Sequence, residues 1–207
     1  MKTLMLIPIA AMAAGLGMAG LDTGMPPVSG TVQGTPADGV VVLAADAARP
    51  WYANSLEALG FFVFPEPKEL TPFTVKTLDG TEATVEAGRG KLTMVNFWAT
   101  WCPPCRAEMP SIQKLWDATR DIPFTIMAID VKETPSEVKT FLELKKYSFP
   151  VYLDQAGTPS AIYASRGIPT TYLLDKQGRA IAYIVGSREY DVPEVLAIIR
   201  ELAAKLP

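Results

Sequence analysis

The chain has 207 residues, 19 Lys and Arg against 22 Asp and Glu for a formal net charge of −3, and 49% hydrophobic residues. That length and composition fit one globular domain with appendages, and the mild acidity gives no electrostatic footing for nucleic acid. Histidine is absent from the chain, which excludes His-based acid–base catalysis and every His-containing metal site.

Lys2 precedes the uncharged run LMLIPIAAMAAGLGMAGL. A positive start, an apolar centre and the small residues Gly17 and Ala19 fit a secretory signal cut after Ala19. The run is also long enough for a membrane anchor, although Pro8, Gly15, Gly17 and Gly20 weaken it as a spanning helix. Residues 1–21 are therefore read as a signal peptide or an N-terminal anchor. No cysteine follows them for lipid attachment. The remainder is expected outside the cytoplasm, periplasmic or otherwise extracytoplasmic, where disulfides persist.

Residues 22–39 turn to Gly, Pro, Thr and Ser and read as a solvated linker. Residues 40–70 read as an N-terminal extension of uncertain structure: VVVLAA suits one strand, and RPWYANSLEALGFF a short helix opened by Pro50. Residues 71–207 form the main domain. TPFTVKTLDGTEATV predicts a hairpin whose Asp79-Gly80 suits a type I′ turn. KLTMVNFW (91–98) is an apolar run of strand length and predicts a buried central strand.

The segment after it predicts a helix with Ile112, Leu115, Trp116 and Thr119 on one face. Pro103 suits the first helical position, and Pro110 is expected to kink the helix. PFTIMAIDV (123–131) predicts a second buried strand. PSEVKTFLELKKY (135–147) predicts a helix with Val138, Phe141, Leu142 and Leu144 inward. A strand at 149–154, a short helix at 159–167, a strand–turn–strand hairpin over 170–186 and an amphipathic closing helix follow. Strands alternating with helices and ending in a hairpin indicate an α/β domain, its mixed sheet covered on both faces.

The only two cysteines, Cys102 and Cys105, stand together in FWATWCPPCRAEMP. As a staple, a disulfide across two residues closes a tiny loop and removes little unfolded-state entropy. As a metal site, two thiolates supply half a tetrahedral shell, enough for a labile Cu(I) site or one shared between molecules. A reactive pair accounts for more residues. Cys102 falls where a strand ends and a helix begins, so its sulfur meets unpaired backbone N–H groups and the positive helix end, which favour thiolate. Cys105 lies nearly one turn on and can displace a group attached to Cys102.

FWATWCPPCRAEMP together with GIPTTYLLD (167–175) resembles the thioredoxin fold. More narrowly, it resembles the exported, often membrane-tethered TlpA/ResA-type thiol–disulfide oxidoreductases, over about residues 70–205. The resemblance implies a central mixed sheet flanked by helices, an N-terminal β-hairpin and an inserted helix and strand at about 132–155. It implies a redox-active Cys102–Cys105 disulfide and a cis Pro169 against it. It also implies that Trp101, Ile168 and Pro169 form the surface that meets substrate.

Thioredoxin carries a buried Asp on the central strand; Asn96 stands at the matching position here and cannot titrate. The resemblance offers Glu108 as the acid instead. It shares a helix face with Cys105, and its other reading is a solvated glutamate. Pro103 and Pro104 donate no hydrogen bonds to sulfur, and Ile168 resembles reducing thioredoxins. The expected function is an exported protein-disulfide reductase without cofactor or resident metal. A disulfide-containing protein is its substrate, for example in cytochrome c maturation or at a copper-site cysteine pair, and a membrane dithiol is its electron donor. A protein disulfide oxidase and a copper-binding module are the competing readings.

Overall fold

The computed structural model describes residues 49–207; the signal or anchor segment, the linker and the strand expected at VVVLAA lie outside the described residues. In chain order the elements are α1 (Ala53–Ala58), β1 (Phe62–Lys68), β2 (Thr74–Thr77), β3 (Glu82–Thr84), a 3₁₀ turn (Val85–Gly88), β4 (Leu92–Trp98), α2 (Pro103–Ala118) and β5 (Phe124–Val131). Then come α3 (Pro135–Lys145), β6 (Val151–Asp154), α4 (Thr158–Tyr163), β7 (Thr170–Leu174), β8 (Ala180–Val185) and α5 (Pro193–Lys205). The eight strands make one open mixed sheet, β1-β8-β7-β4-β5-β6-β2-β3. No helix among the described residues is long and apolar enough to cross a membrane.

β4 is the centre of the sheet, and all seven of its residues are buried. It runs parallel to β5 and antiparallel to β7. Strand periodicity divides its side chains between the two faces. Leu92, Met94 and Trp98 join the apolar layer formed with Leu56 of α1, Ile112 and Leu115 of α2, Val138 of α3 and Ile198 of α5. Val95 and Phe97 join Phe73, Val85, Met127 and Ala164 on the opposite face. Asn96 therefore points at the face that carries α2, and this places the functional site.

The inserted helix and strand expected at 132–155 are α3 and β6. β6 extends the parallel part of the sheet and accepts the β2–β3 hairpin along its other edge. α3 opens on a capping box: the Thr134 side chain accepts from the Glu137 N–H, and the Glu137 carboxylate accepts from the Thr134 N–H. α2 continues through Pro110 as one helix.

Three local readings change. The 77–81 turn is not type I′. The Thr77 N–H donates to the Thr81 carbonyl and the Gly80 N–H to the Thr77 carbonyl, which encloses a three-residue loop. Gly80 (φ +92°) takes its left-handed position, and Asp79 is not among the residues with positive φ. Leu144 stands 75% exposed while Val138 and Leu142 are buried, because six residues from Val138 on a helix lead to the far side. The extension of uncertain structure supplies α1 and the strand β1, so the sheet begins before residue 71. β1 contains Pro65 and Pro67, which argue against a strand when read locally. Among the described residues it is an edge strand paired only with β8, and its register slips between Val63 and Lys68, the stretch that holds both prolines.

Candidate active site

Trp98 ends β4, and after four intervening residues Pro103 begins α2. Cys102 is the N-cap, with extended backbone, and its sulfur accepts from the Cys105 N–H at 3.3 Å. This is the place a Ser or Asp oxygen usually fills. Pro103 and Pro104 fit behind it because first-turn N–H groups have no helical partner to lose. The two sulfurs form a disulfide, with Cα atoms 5.3 Å apart.

Cys105 is fully buried, and Cys102 keeps only 4% of its surface. Cys102 is thus the more accessible residue of the pair, although in the disulfide it too is buried. Trp101 is 63% exposed and lines a groove of about 320 Å³ with Val131, Ala161, Ala164 and Ile168.

The Ile168–Pro169 bond is cis, as the resemblance implied, and the Ile168 carbonyl oxygen lies 3.7 Å from the Cys102 sulfur. The loop is fixed on both sides. Thr170 Oγ1 donates to the Gly167 carbonyl at 2.6 Å, and the Gly186 N–H donates to the Pro169 carbonyl at 2.8 Å.

Glu108 is not a solvated glutamate. It lies one turn beyond Cys105 on the inner face of α2 and is 1% exposed. Oε1 accepts from Asn96 Nδ2 at 2.9 Å, and Oε2 accepts from the Arg188 backbone N–H at 3.3 Å. Burial raises its pKa to about 7, against the lowering effect of the bonds from Asn96 and Arg188 and the charge of Arg188. Asn96 therefore still serves the acid, as a donor rather than as the acid itself.

Several members of the site were not foreseen. Asn96 Nδ2 also donates to Thr171 Oγ1 at 2.9 Å, and the Tyr190 hydroxyl donates to the same oxygen at 2.8 Å. Burial, reinforced by the charge of Glu108, pushes the Tyr190 phenol up. Thr171 faces Asn96 through the β4–β7 register, which one strand alone does not reveal. On the other side of the cysteines, the Thr100 N–H and hydroxyl both donate to Glu133. The Glu133 N–H in turn donates to Asp130 at 3.2 Å. Burial, and then the neighbouring Glu133 carboxylate, push Asp130 up to about 9. The sequence signal was present: two acids three residues apart at the end of a buried strand.

Residues 68–183 match the AhpC/TSA family. ResA, a thiol–disulfide oxidoreductase of Bacillus cereus, is 34% identical over 133 residues, 62% of this chain and 77% of that protein. The thioredoxin-like protein YneN of Bacillus subtilis is 34% identical over 116 residues, 55% of this chain and 67% of that one. Among solved structures, StoA from Bacillus subtilis superposes with a TM-score of 0.54 at 26% identity, covering 63% of this chain and 99% of StoA. A thiol:disulfide interchange protein of the thioredoxin family from Chlorobium tepidum gives a TM-score of 0.54 at 30% identity, covering 65% of this chain and 97% of that one. A disulfide at the start of α2, a cis proline against it and these relatives lead to one assignment: the chain belongs to the AhpC/TSA family and is a thiol–disulfide oxidoreductase of the thioredoxin-like type.

Proposed function

We propose that this oxidoreductase works as a reductant of protein disulfides outside the cytoplasm. The observation that carries the direction is the poverty of thiolate-stabilising groups around Cys102. Among the described residues, the Cys105 N–H is the hydrogen-bond donor to its sulfur. The first two positions of α2 are prolines without N–H groups. The group on the cis-proline side is a carbonyl oxygen, which a thiolate would face with its negative charge. A reduced form with so little stabilisation gives up its electrons readily.

In the reducing cycle the Cys102 thiolate attacks one sulfur of the substrate disulfide. That S–S bond breaks, a mixed disulfide forms, and the first substrate thiolate leaves. Cys105 then loses its proton and attacks the Cys102 sulfur. The second substrate thiolate leaves, and the Cys102–Cys105 disulfide remains. Two electrons have passed to the substrate. Glu108, one turn from Cys105 and with a pKa near 7, is suited to take the Cys105 proton at neutral pH. Trp101, Ile168 and Pro169 form the surface on which the substrate disulfide docks. The leading segment of residues 1–21 carries the export signal or membrane anchor. A dithiol of the membrane returns the protein to its reduced form. Apocytochrome c and copper-site cysteine pairs are substrates of the right chemistry.

Equilibration of the purified protein against dithiothreitol or glutathione tests the direction. A potential near about −270 mV supports a reductant, and one near about −120 mV would make the protein an oxidase.

A further inference from the structure

Arg188, in the loop between β8 and α5, touches the site from outside the segment that matches the family, residues 68–183. Its backbone N–H donates to Glu108 Oε2 at 3.3 Å. The loop is held to α2 a second time, because the Tyr190 N–H donates to Ser111 Oγ at 3.0 Å. The guanidinium reaches the end of α1. There Nη1 donates to the Leu59 carbonyl, and the group lies 5.4 Å from the centre of the Phe61 ring. The intervening Gly60 has φ +83°, and a Cβ there would stand 2.8 Å from Arg188 Nη2. Residues 59–61 thus form a seat of three parts: a carbonyl at a helix end, a glycine leaving room, and an aromatic face that attracts a cation.

We propose that Arg188, seated by Leu59, Gly60 and Phe61, is a positioning residue that holds its own backbone N–H against Glu108 and keeps a positive charge in the same cluster. The helix α1 thereby takes part in setting the proton affinity of the acid beneath the cysteines. The other groups bonded to that carboxyl network, Asn96, Thr171 and Tyr190, are uncharged while the phenol keeps its proton, so among the described residues Arg188 is the cation of the cluster. With its charge in place the carboxylate is favoured; without it, burial is opposed by the hydrogen bonds from Asn96 and the backbone alone, and the acid form gains.

This role rests on Glu108 being the acid of the proposed cycle, but its test does not need thiol chemistry. The Glu108 carboxyl is titrated by ¹³C NMR in the full-length oxidised protein, with its signal assigned by loss in Glu108→Gln. Arg188→Met should raise the proton affinity of Glu108 about tenfold, one pH unit. Arg188→Lys keeps the charge and should stay nearer the parent. Gly60→Ala should shift the midpoint in the same direction by a smaller amount, and it serves if Arg188→Met does not fold. An unchanged midpoint in Arg188→Met and Gly60→Ala, or an equal shift in Arg188→Lys and Arg188→Met, would overturn the proposal. Proton exchange with the cysteines is judged separately, from the effect of Glu108→Gln on the pH profile of thiol alkylation.

Discussion

Asn96 Nδ2 donates to Glu108 Oε1 at 2.9 Å across the interface between β4 and α2, with both side chains shut off from solvent. A neutral donor there favours the carboxylate and partly offsets the burial that keeps the Glu108 pKa near 7. Replacing the donor with a second carboxyl should reverse that help. In Asn96→Asp two buried carboxyls share the site and titrate in two coupled steps, the upper one above that of Glu108 alone. Each unit of upward shift corresponds to about 1.4 kcal/mol. The variant should therefore lose more stability than the parent between pH 6 and 9, as measured by urea midpoints. Parallel pH curves for the two proteins would contradict this.

The oxidised parent protein should itself be less stable in alkaline than in mildly acidic solution. The folded-state pKa of Glu108 lies near 7 against an ordinary 4.5, and that of Asp130 near 9 against 3.8. A carboxyl whose pKa is raised by folding contributes its stability fully below the unfolded value. It loses that contribution as pH rises through the folded value. For Glu108 the loss between about pH 4.5 and 7 is on the order of 3 kcal/mol, and for Asp130 it continues to about pH 9. Glu108→Gln should flatten the first part of the decline and Asp130→Asn the second. Denaturation midpoints at pH 5, 7 and 9 check both, and a midpoint that rises with pH would refute the assignment.

The two thiols of the reduced protein should differ in reactivity. Cys102 caps the helix at its accessible end, and Cys105 is fully buried. Alkylation near neutral pH should modify Cys102 at least about tenfold faster, since reaction needs both thiolate and access. Peptide mapping after brief exposure to iodoacetamide decides it, and preferential labelling of Cys105 would exchange the two roles.

Glu133 fastens the turn that leads into the cysteines, because both donors of Thr100 end on its carboxylate. Glu133→Ala leaves those donors without their charged acceptor and should cost about 1–3 kcal/mol. It also removes the neighbour that helps push Asp130 up, so Asp130 should release its proton at lower pH in the variant. Chemical denaturation and a ¹³C titration of Asp130 measure the two effects. A variant as stable as the parent would show that the turn is held by its flanking elements alone.

The cysteine pair, its place at a strand–helix junction and the strand–helix order were readable because each depends on neighbours in sequence. The buried run before Cys102, the prolines at the start of α2 and the 3.6-residue spacing of Ile112 and Leu115 act over one or two turns. Where local rules alone decided, as for Leu144 and the Gly80 turn, the reading erred in detail but not in kind. β1 was hidden because Pro65 and Pro67 oppose a strand in isolation, and only an edge position beside β8 tolerates them.

Glu108 shows the division most clearly. Helix spacing put it on the face of Cys105, but spacing does not say whether that face meets water. The sheet decided it, by bringing in Asn96 from 12 residues away and Arg188 from 80, while Asn96 in turn meets Thr171 across 75. An isolated helix would leave this carboxyl in water at its ordinary pKa. Packed against β4 and the Arg188 loop, it loses that water and is left with two hydrogen bonds, so its proton affinity is a property of the tertiary structure.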